Sequence, residues 1–275
     1  MSEILAKTRY GMLEGTREGS VSIWRGIPYA SPPVRSLRFR PPKPPEAWRG
    51  VRSAHRYSPS AIQTESVIMK ALGDSPAQID EDCLYLNIWS PGPDRQRRPV
   101  LFWIHGGSFL YGSGSSLLYD GKFFAEQGDV VVVTINYRLG VFGFLHLGDL
   151  GEESYRASGN CGLLDQAAAL RWVHENIEAF GGDPNNVTLF GESAGAVSVG
   201  LLMTMPEAKG LFHKAILQSG TARHKLTPDA ATRVTEQLLA QLQVDRSRLS
   251  DLENMPAKSL LKAAGTFPRS AFGPV

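Results

Sequence analysis

One stretch limits what this 275-residue chain can fold into. An apolar run, Val187-Thr188-Leu189-Phe190, enters Gly191-Glu192-Ser193-Ala194-Gly195, and a helix-like sequence follows to about Met205. Strand, sharp turn and helix in this order require a serine held in a strained backbone conformation. The glycines two residues to either side leave room where a side chain would collide. The Ser193 hydroxyl then stands clear of a sheet above a helix N-terminus, where negative charge is favoured. A free loop of the same five residues would need neither the strand before it nor the helix after it.

The flanking sequence agrees with such a sheet. Residues 4–24 alternate apolar and polar with glycine punctuation, as short antiparallel strands or hairpins do. Residues 32–45 are dense in proline, which excludes helix and suits an extended surface segment. Glu81–Trp89 reads as a strand. Pro99–Ile104, apolar on both faces, and Asp129–Asn136, with four consecutive valines, read as buried central strands. Gly121–Gln127 reads as a short helix between them. Asn160–Phe180 carries Leu163, Ala167, Leu170, Val173, Ile177 and Phe180 at helical spacing, and Gly181-Gly182-Asp183-Pro184 stops it. Ala215–Gln218 is a further strand, and helices are expected over Asp229–Leu242 and Pro256–Ala264. Strands alternating with long crossovers imply a largely parallel sheet wrapped by helices, in one domain over residues 1–275 with no second domain. Chemistry then belongs at the carboxyl ends of the strands, where Gly106-Gly107, Gly191–Gly195 and Ser219-Gly220 all fall.

Composition excludes other classes. Lys and Arg total 29 against 27 Asp and Glu, with no basic stripe, so nucleic acid is not suggested. No apolar run is long enough for a transmembrane span, and no signal peptide is visible, so a cytoplasmic setting is expected. Two cysteines, Cys83 and Cys161, make no disulfide framework and read as packing residues. Nothing calls for a cofactor or a metal.

At the strand ends, ester cleavage needs a nucleophile, a base and donors for an oxyanion. Ser193 is the candidate nucleophile. The candidate donors are the amides of Ala194, Gly106 and Gly107, glycine allowing amides to converge on one oxygen. His105 precedes the glycine pair and reads as an anchor for that loop rather than as the base.

The chain resembles the type-B carboxylesterases, which include para-nitrobenzyl esterases and cholinesterases. The resemblance rests on Phe39-Arg40-Pro41-Pro42, Glu81–Asn87, His105–Phe109, Asn136–Gly140, Gly159–Gln166 and Phe190–Gly195. It implies an α/β-hydrolase fold with a mostly parallel central sheet, flanking helices and N-terminal antiparallel strands. It implies a small-molecule ester substrate, of the small neutral kind, and an acyl-enzyme on Ser193. By the same resemblance Arg25 pairs with Glu81 and Arg138 with Asp165, and Glu192 tunes the pocket. Relatives often bridge the cysteine at position 83 to one just upstream; Ala61-Ile62-Gln63 stands there instead.

In the family the acid and the histidine follow the nucleophile in chain order. This sequence ends at Phe272-Gly273-Pro274-Val275, inside a family motif, so a truncation before the last strands is expected, with a C-terminal half missing. Only His213 and His224 follow Ser193. His213 precedes a strand and falls at the far edge of the sheet. His224 follows a strand exit on the correct edge, where Glu207 or Asp229 would have to orient it. The chain alone is therefore expected to be nearly inactive, with an open apolar sheet edge and poor solubility. The alternatives are a non-catalytic binding member of the same fold, or one half of a split esterase.

Overall fold

A computed structural model describes residues 4–71 and 74–275. Eleven strands occur among the described residues: β1 Ile4–Lys7, β2 Met12–Glu18, β3 Val21–Pro28, β4 Val51–Ser53, β5 Ser60–Ala61, β6 Ile79–Asp80, β7 Tyr85–Ser90, β8 Arg98–Ile104, β9 Val131–Ile135, β10 Gly182–Glu192 and β11 Lys214–Gln218. The helices are α1 Val67–Ala71, α2 Lys122–Gly128, α3 Gly140–Phe144, α4 Cys161–Asn176, α5 Ala194–Leu202, α6 Pro228–Leu242, α7 Asp251–Asn254 and α8 Ala257–Ala264.

Nine strands share one sheet in the order β1-β2-β3-β7-β9-β8-β10-β11, with β4 beside β2; β5 and β6 pair separately. The sheet is mixed. From β1 through β9 neighbours run antiparallel. β9, β8, β10 and β11 run parallel, as the buried apolar runs predict. Every residue of β9 is buried, and Phe102 and Ile104 of β8 are fully so.

The order reverses at β8. The chain leaves β8 through α2 to reach β9 on one side, then returns through α4 to β10 on the other. Loops that diverge from neighbouring strand ends leave a crevice between them, which is where ligands enter open sheets of this type. Helix α5 packs across β8, β10 and β11 and is buried on nearly all faces. That is why it lacks a polar side.

Most elements lie where the sequence places them, with shifts at their ends. The proline-dense segment stays extended except for a 3-10 turn at Arg35–Leu37, which contains no proline. The strand read over Glu81–Trp89 begins only at Tyr85, because Cys83 N–H turns back to Glu81 O (2.9 Å). Helix α4 ends at Asn176 and tightens into a 3-10 turn over Ile177–Phe180.

The expected Arg25–Glu81 pair is not formed. Arg25 sits on the β2–β3 hairpin and reaches Glu18 across it (2.8 Å). Arg38 takes Glu81 with both ends of its guanidinium, 2.7 and 2.5 Å, and donates to Leu252 O and Met255 O. A two-pronged grip plus two carbonyls uses the fork geometry fully, which a single-contact arginine would not. The Arg138–Asp165 pair forms as expected, fully buried, with contacts of 2.8 and 2.7 Å and Arg138 N–H on the same carboxylate at 3.0 Å. Cys83 and Cys161 are free and buried, and burial raises both thiols, Cys161 to about 11.

β11 is an outer strand whose Ile216 and Leu217 are exposed, the open apolar edge that the sequence suggests. Among the described residues no helix is long and apolar enough to cross a membrane.

Candidate active site

Strand register assembles the site. Gly191 of β10 lies opposite Ile104 of β8 and Leu217 of β11, and Glu192 opposite Gln218. One residue further on, Ser193, Gly106 and Ser219 therefore emerge side by side at the carboxyl edge. Ser193 N–H donates to Gln218 O at 2.8 Å, the last rung of the ladder.

The turn at Ser193 has φ 54° and ψ −119°, a strained conformation for a residue with a side chain. The flanking glycines are obligatory. A Cβ on Gly195 would lie 2.1 Å from Ile104 O, and one on Gly191 2.6 Å from Gly195 C. The close approach of α5 to the end of β8 thus depends on bare backbone at both positions.

Gly106 is an immediate neighbour of the serine: a Cβ built on it would sit 3.3 Å from Ser193 Cβ. The orientation of the nearby amides follows from peptide planarity, since in a trans peptide the C=O of one residue and the N–H of the next point opposite ways, and no peptide here is cis. Tyr137 OH donates to His105 O (2.9 Å), which turns the Gly106 amide away from Tyr137. The His105 ring holds Gly106 O at Nδ1 (2.8 Å), which turns the Gly107 amide away from the ring. Val197 N–H donates to Ser193 O (2.9 Å), which turns the Ala194 amide outward along the axis of α5. Among the described residues, none accepts from the amides of Gly106, Gly107 or Ala194.

His105 is buried and stacked on Tyr137, ring centroids 4.4 Å apart. Burial lowers its pKa to about 4, so the ring is neutral and its Nδ1–H is the donor to Gly106 O. It faces the loop interior, in keeping with the anchor role read from sequence. Tyr137 as a loop clamp is not legible in the sequence; its signal is only its place in Asn136–Gly140.

Beside Ser193 lies a cleft of about 560 Å³. Ser193, Ala194 and Val197 form one side, and Phe109 and Phe272 give it apolar surface. Gly106 and Gly107 do not line it, but Ser108 and Phe109 directly after them do. Glu192 is exposed beside Gly106. His224 lines the cleft on the same edge as Ser193, but among the described residues its ring makes a single, long hydrogen bond, at Nδ1 with Thr221 O (3.4 Å). Neither Glu207 nor Asp229 pairs with it, so among the described residues no carboxylate orients this ring. His213 is at the opposite end of the sheet, where its Nδ1 accepts from Val187 N–H (3.3 Å).

A family model described as "Carboxylesterase family" matches residues 2–275. The chain is 49% identical over 264 residues to the para-nitrobenzyl esterase of Bacillus subtilis (strain 168), covering 96% of this chain and 53% of that protein. It is 50% identical over 224 residues to the fumonisin B1 esterase of Sphingopyxis macrogoltabida, covering 80% and 41%. The crystal structure of the Geobacillus stearothermophilus carboxylesterase EST55 superposes with a TM-score of 0.92 at 53% identity, over 98% of this chain and 55% of that one. The chain spans about half the length of the relatives it matches. With a parallel half-sheet reversing at β8, a strained serine at the reversal and a family match over almost every residue, the chain belongs to the carboxylesterase family and has its α/β-hydrolase fold.

Proposed function

We propose that this chain supplies the nucleophile and the oxyanion donors of a serine carboxylic-ester hydrolase. Ser193 attacks the ester carbonyl, and the amides of Gly106, Gly107 and Ala194 receive the negative oxygen. The observation that carries the reading is the pinning of the carbonyls of His105, Gly106 and Ser193, which leaves the amides of Gly106, Gly107 and Ala194 without acceptors among the described residues, with Gly106 directly beside Ser193. Glu192 lies beside Gly106, outside the lining of the cleft, and takes no part in bond making.

A base is the missing part. His224 shares the cleft but has no carboxylate behind it, so its tautomer and orientation are not set. Proton removal from Ser193 is assigned to a histidine and acid outside these residues, in the remaining length that the relatives have, on the same chain or on a separate one. Without them, the residual rate comes from the oxyanion donors and binding, roughly 10³–10⁴-fold above water.

The test is nitrophenol release from a chromogenic acetate ester. Slow release above the buffer rate, lost in Ser193→Ala, is expected. Folded protein that adds nothing to the buffer rate would overturn the proposal. Release at full esterase speed would place the base within this chain instead.

A further inference from the structure

The cleft beside Ser193 has a charge asymmetry that the net charge of the chain conceals. Arg223 and Lys225, on the segment that leaves β11, line the cleft, and so does Arg269 on the C-terminal segment. Among the described residues no Asp or Glu lines the cleft. All three cationic side chains are exposed, and among the described residues none of them takes part in an ion pair. What sets them apart is that all three line one cleft, since exposed arginines such as Arg17, Arg35 and Arg233 elsewhere also form no ion pair among the described residues.

The two segments are tied together. Leu226 N–H donates to Pro274 O at 2.7 Å, so the segment carrying Arg223 and Lys225 is fastened to the segment that follows Arg269. The positive end of α5, nine residues long, opens into the same cleft at Ala194. Four sources of positive potential therefore face one volume whose lining, among the described residues, includes no carboxylate, and low-dielectric walls concentrate such a field.

We infer that this cleft selects esters that carry a carboxylate away from the scissile bond, the half-esters of dicarboxylic acids being the simplest case. The ester group lies at Ser193, and the free carboxylate reaches Arg223, Lys225 or Arg269 at the rim. Two arginines suit a carboxylate because a planar fork can donate two parallel hydrogen bonds to it. The apolar faces of Phe109 and Phe272 accommodate the methylene chain between the two groups. Neutral esters remain substrates on this view but are not the preferred ones, which revises the neutral class that the resemblance implies. The inference rests on the assignment of Ser193 as the nucleophile.

The experiment separates the two. Ser193→Ala protein, which cannot turn substrate over, is titrated calorimetrically with monomethyl glutarate and with dimethyl glutarate. The half-ester is expected to bind roughly tenfold more tightly at low salt, with the preference shrinking in high salt as exposed charges are screened. Arg269→Gln and Arg223→Gln should each weaken half-ester binding several-fold and leave the diester unchanged. Equal affinities for the two ligands, no binding of the half-ester, or indifference to all three charge removals including Lys225→Gln would overturn the inference. A phosphonate analogue of the half-ester that binds more tightly than the carboxylate would also overturn it, by making phosphate the selected group. Because no turnover is read, failure here leaves the Ser193 assay to stand or fall by itself.

Discussion

The parallel strands β8, β10 and β11 are finished differently at their two ends. At the amino ends the polar groups are partnered. Arg98 holds Asp94 and Asp129, both at 2.5 Å, Arg97 holds Asp183 (2.7 Å) and Glu178 (3.1 Å), and His213 exchanges two hydrogen bonds with the backbone of Val187. At the carboxyl ends the backbone is strained at Ser193 and Ser219, and among the described residues three amides have no acceptor and the cations of the cleft have no ion-pair partner. Hydrogen-bonding capacity left over inside a well-packed fold costs stability, so it persists where it serves binding or chemistry.

That contrast can be broken experimentally, beginning with the largest effect. Gly195→Ala would drive a methyl into Ile104 O, and backbone atoms on both sides leave nothing flexible to yield. A loss of about 3 kcal/mol or more in urea unfolding is expected. An unchanged midpoint would mean that α5 does not bear on the end of β8.

Acid separates the two ends. The folded pKa of His105, about 4, lies below its ordinary 6.5, so the unfolded chain binds more protons between those values. Its contribution is complete above pH 6.5 and is lost progressively as pH falls toward 4. Between pH 7 and 5 this amounts to roughly 2 kcal/mol. In the His105→Gln variant the slope over that interval should flatten; a slope of the same size would assign the acid sensitivity elsewhere. At the amino ends the hydrogen bond from Arg98 lowers the pKa of Asp94, and that carboxylate keeps its charge until lower pH. Its stabilisation is present above the unfolded carboxylate range and is lost only as pH falls through the depressed value.

Arg98→Met tests the amino ends directly. Its two carboxylate partners are substantially exposed and regain water when the arginine is removed. A cost of about 1–2 kcal/mol is expected, with no change in Ser193-dependent nitrophenol release. A fall in that release would show the two ends to be coupled. The smallest effect is a gain: Ser193→Gly removes the φ strain and should stabilise the fold by about 1 kcal/mol while release drops to the buffer rate. Equal or lower stability would show that the turn stores no strain.

These ends were not equally legible from sequence. The buried strands could be read because four valines and an unbroken apolar stretch permit little else, and the serine turn because both of its glycines are local to it. The nearness of Gly106 to Ser193 depends on Ile104 lying opposite Gly191, a register between strands far apart in the chain, which no local pattern encodes. The Tyr137 clamp on His105 O is non-local in the same way. The Arg25–Glu81 pair that the resemblance implies is replaced because Arg38, and not Arg25, lies within reach of Glu81, a contact between residues far apart in the chain that no local pattern encodes, while Arg25 contacts Glu18 of the neighbouring strand. The cationic cleft was hidden by averaging, since a formal charge of +2 gives no sign that Arg223, Lys225 and Arg269 face one volume.

The serine and its neighbouring amides hang from the hydrogen-bond ladder of the sheet, whereas the charged lining of the cleft hangs from two outlying segments joined at Leu226 and Pro274. A family built this way can exchange its lining by loop mutation, admitting bulky, acidic or greasy acyl groups in turn, while the reacting atoms stay where they are. Diversity among its members should therefore collect in those outlying segments and spare the rungs beneath them.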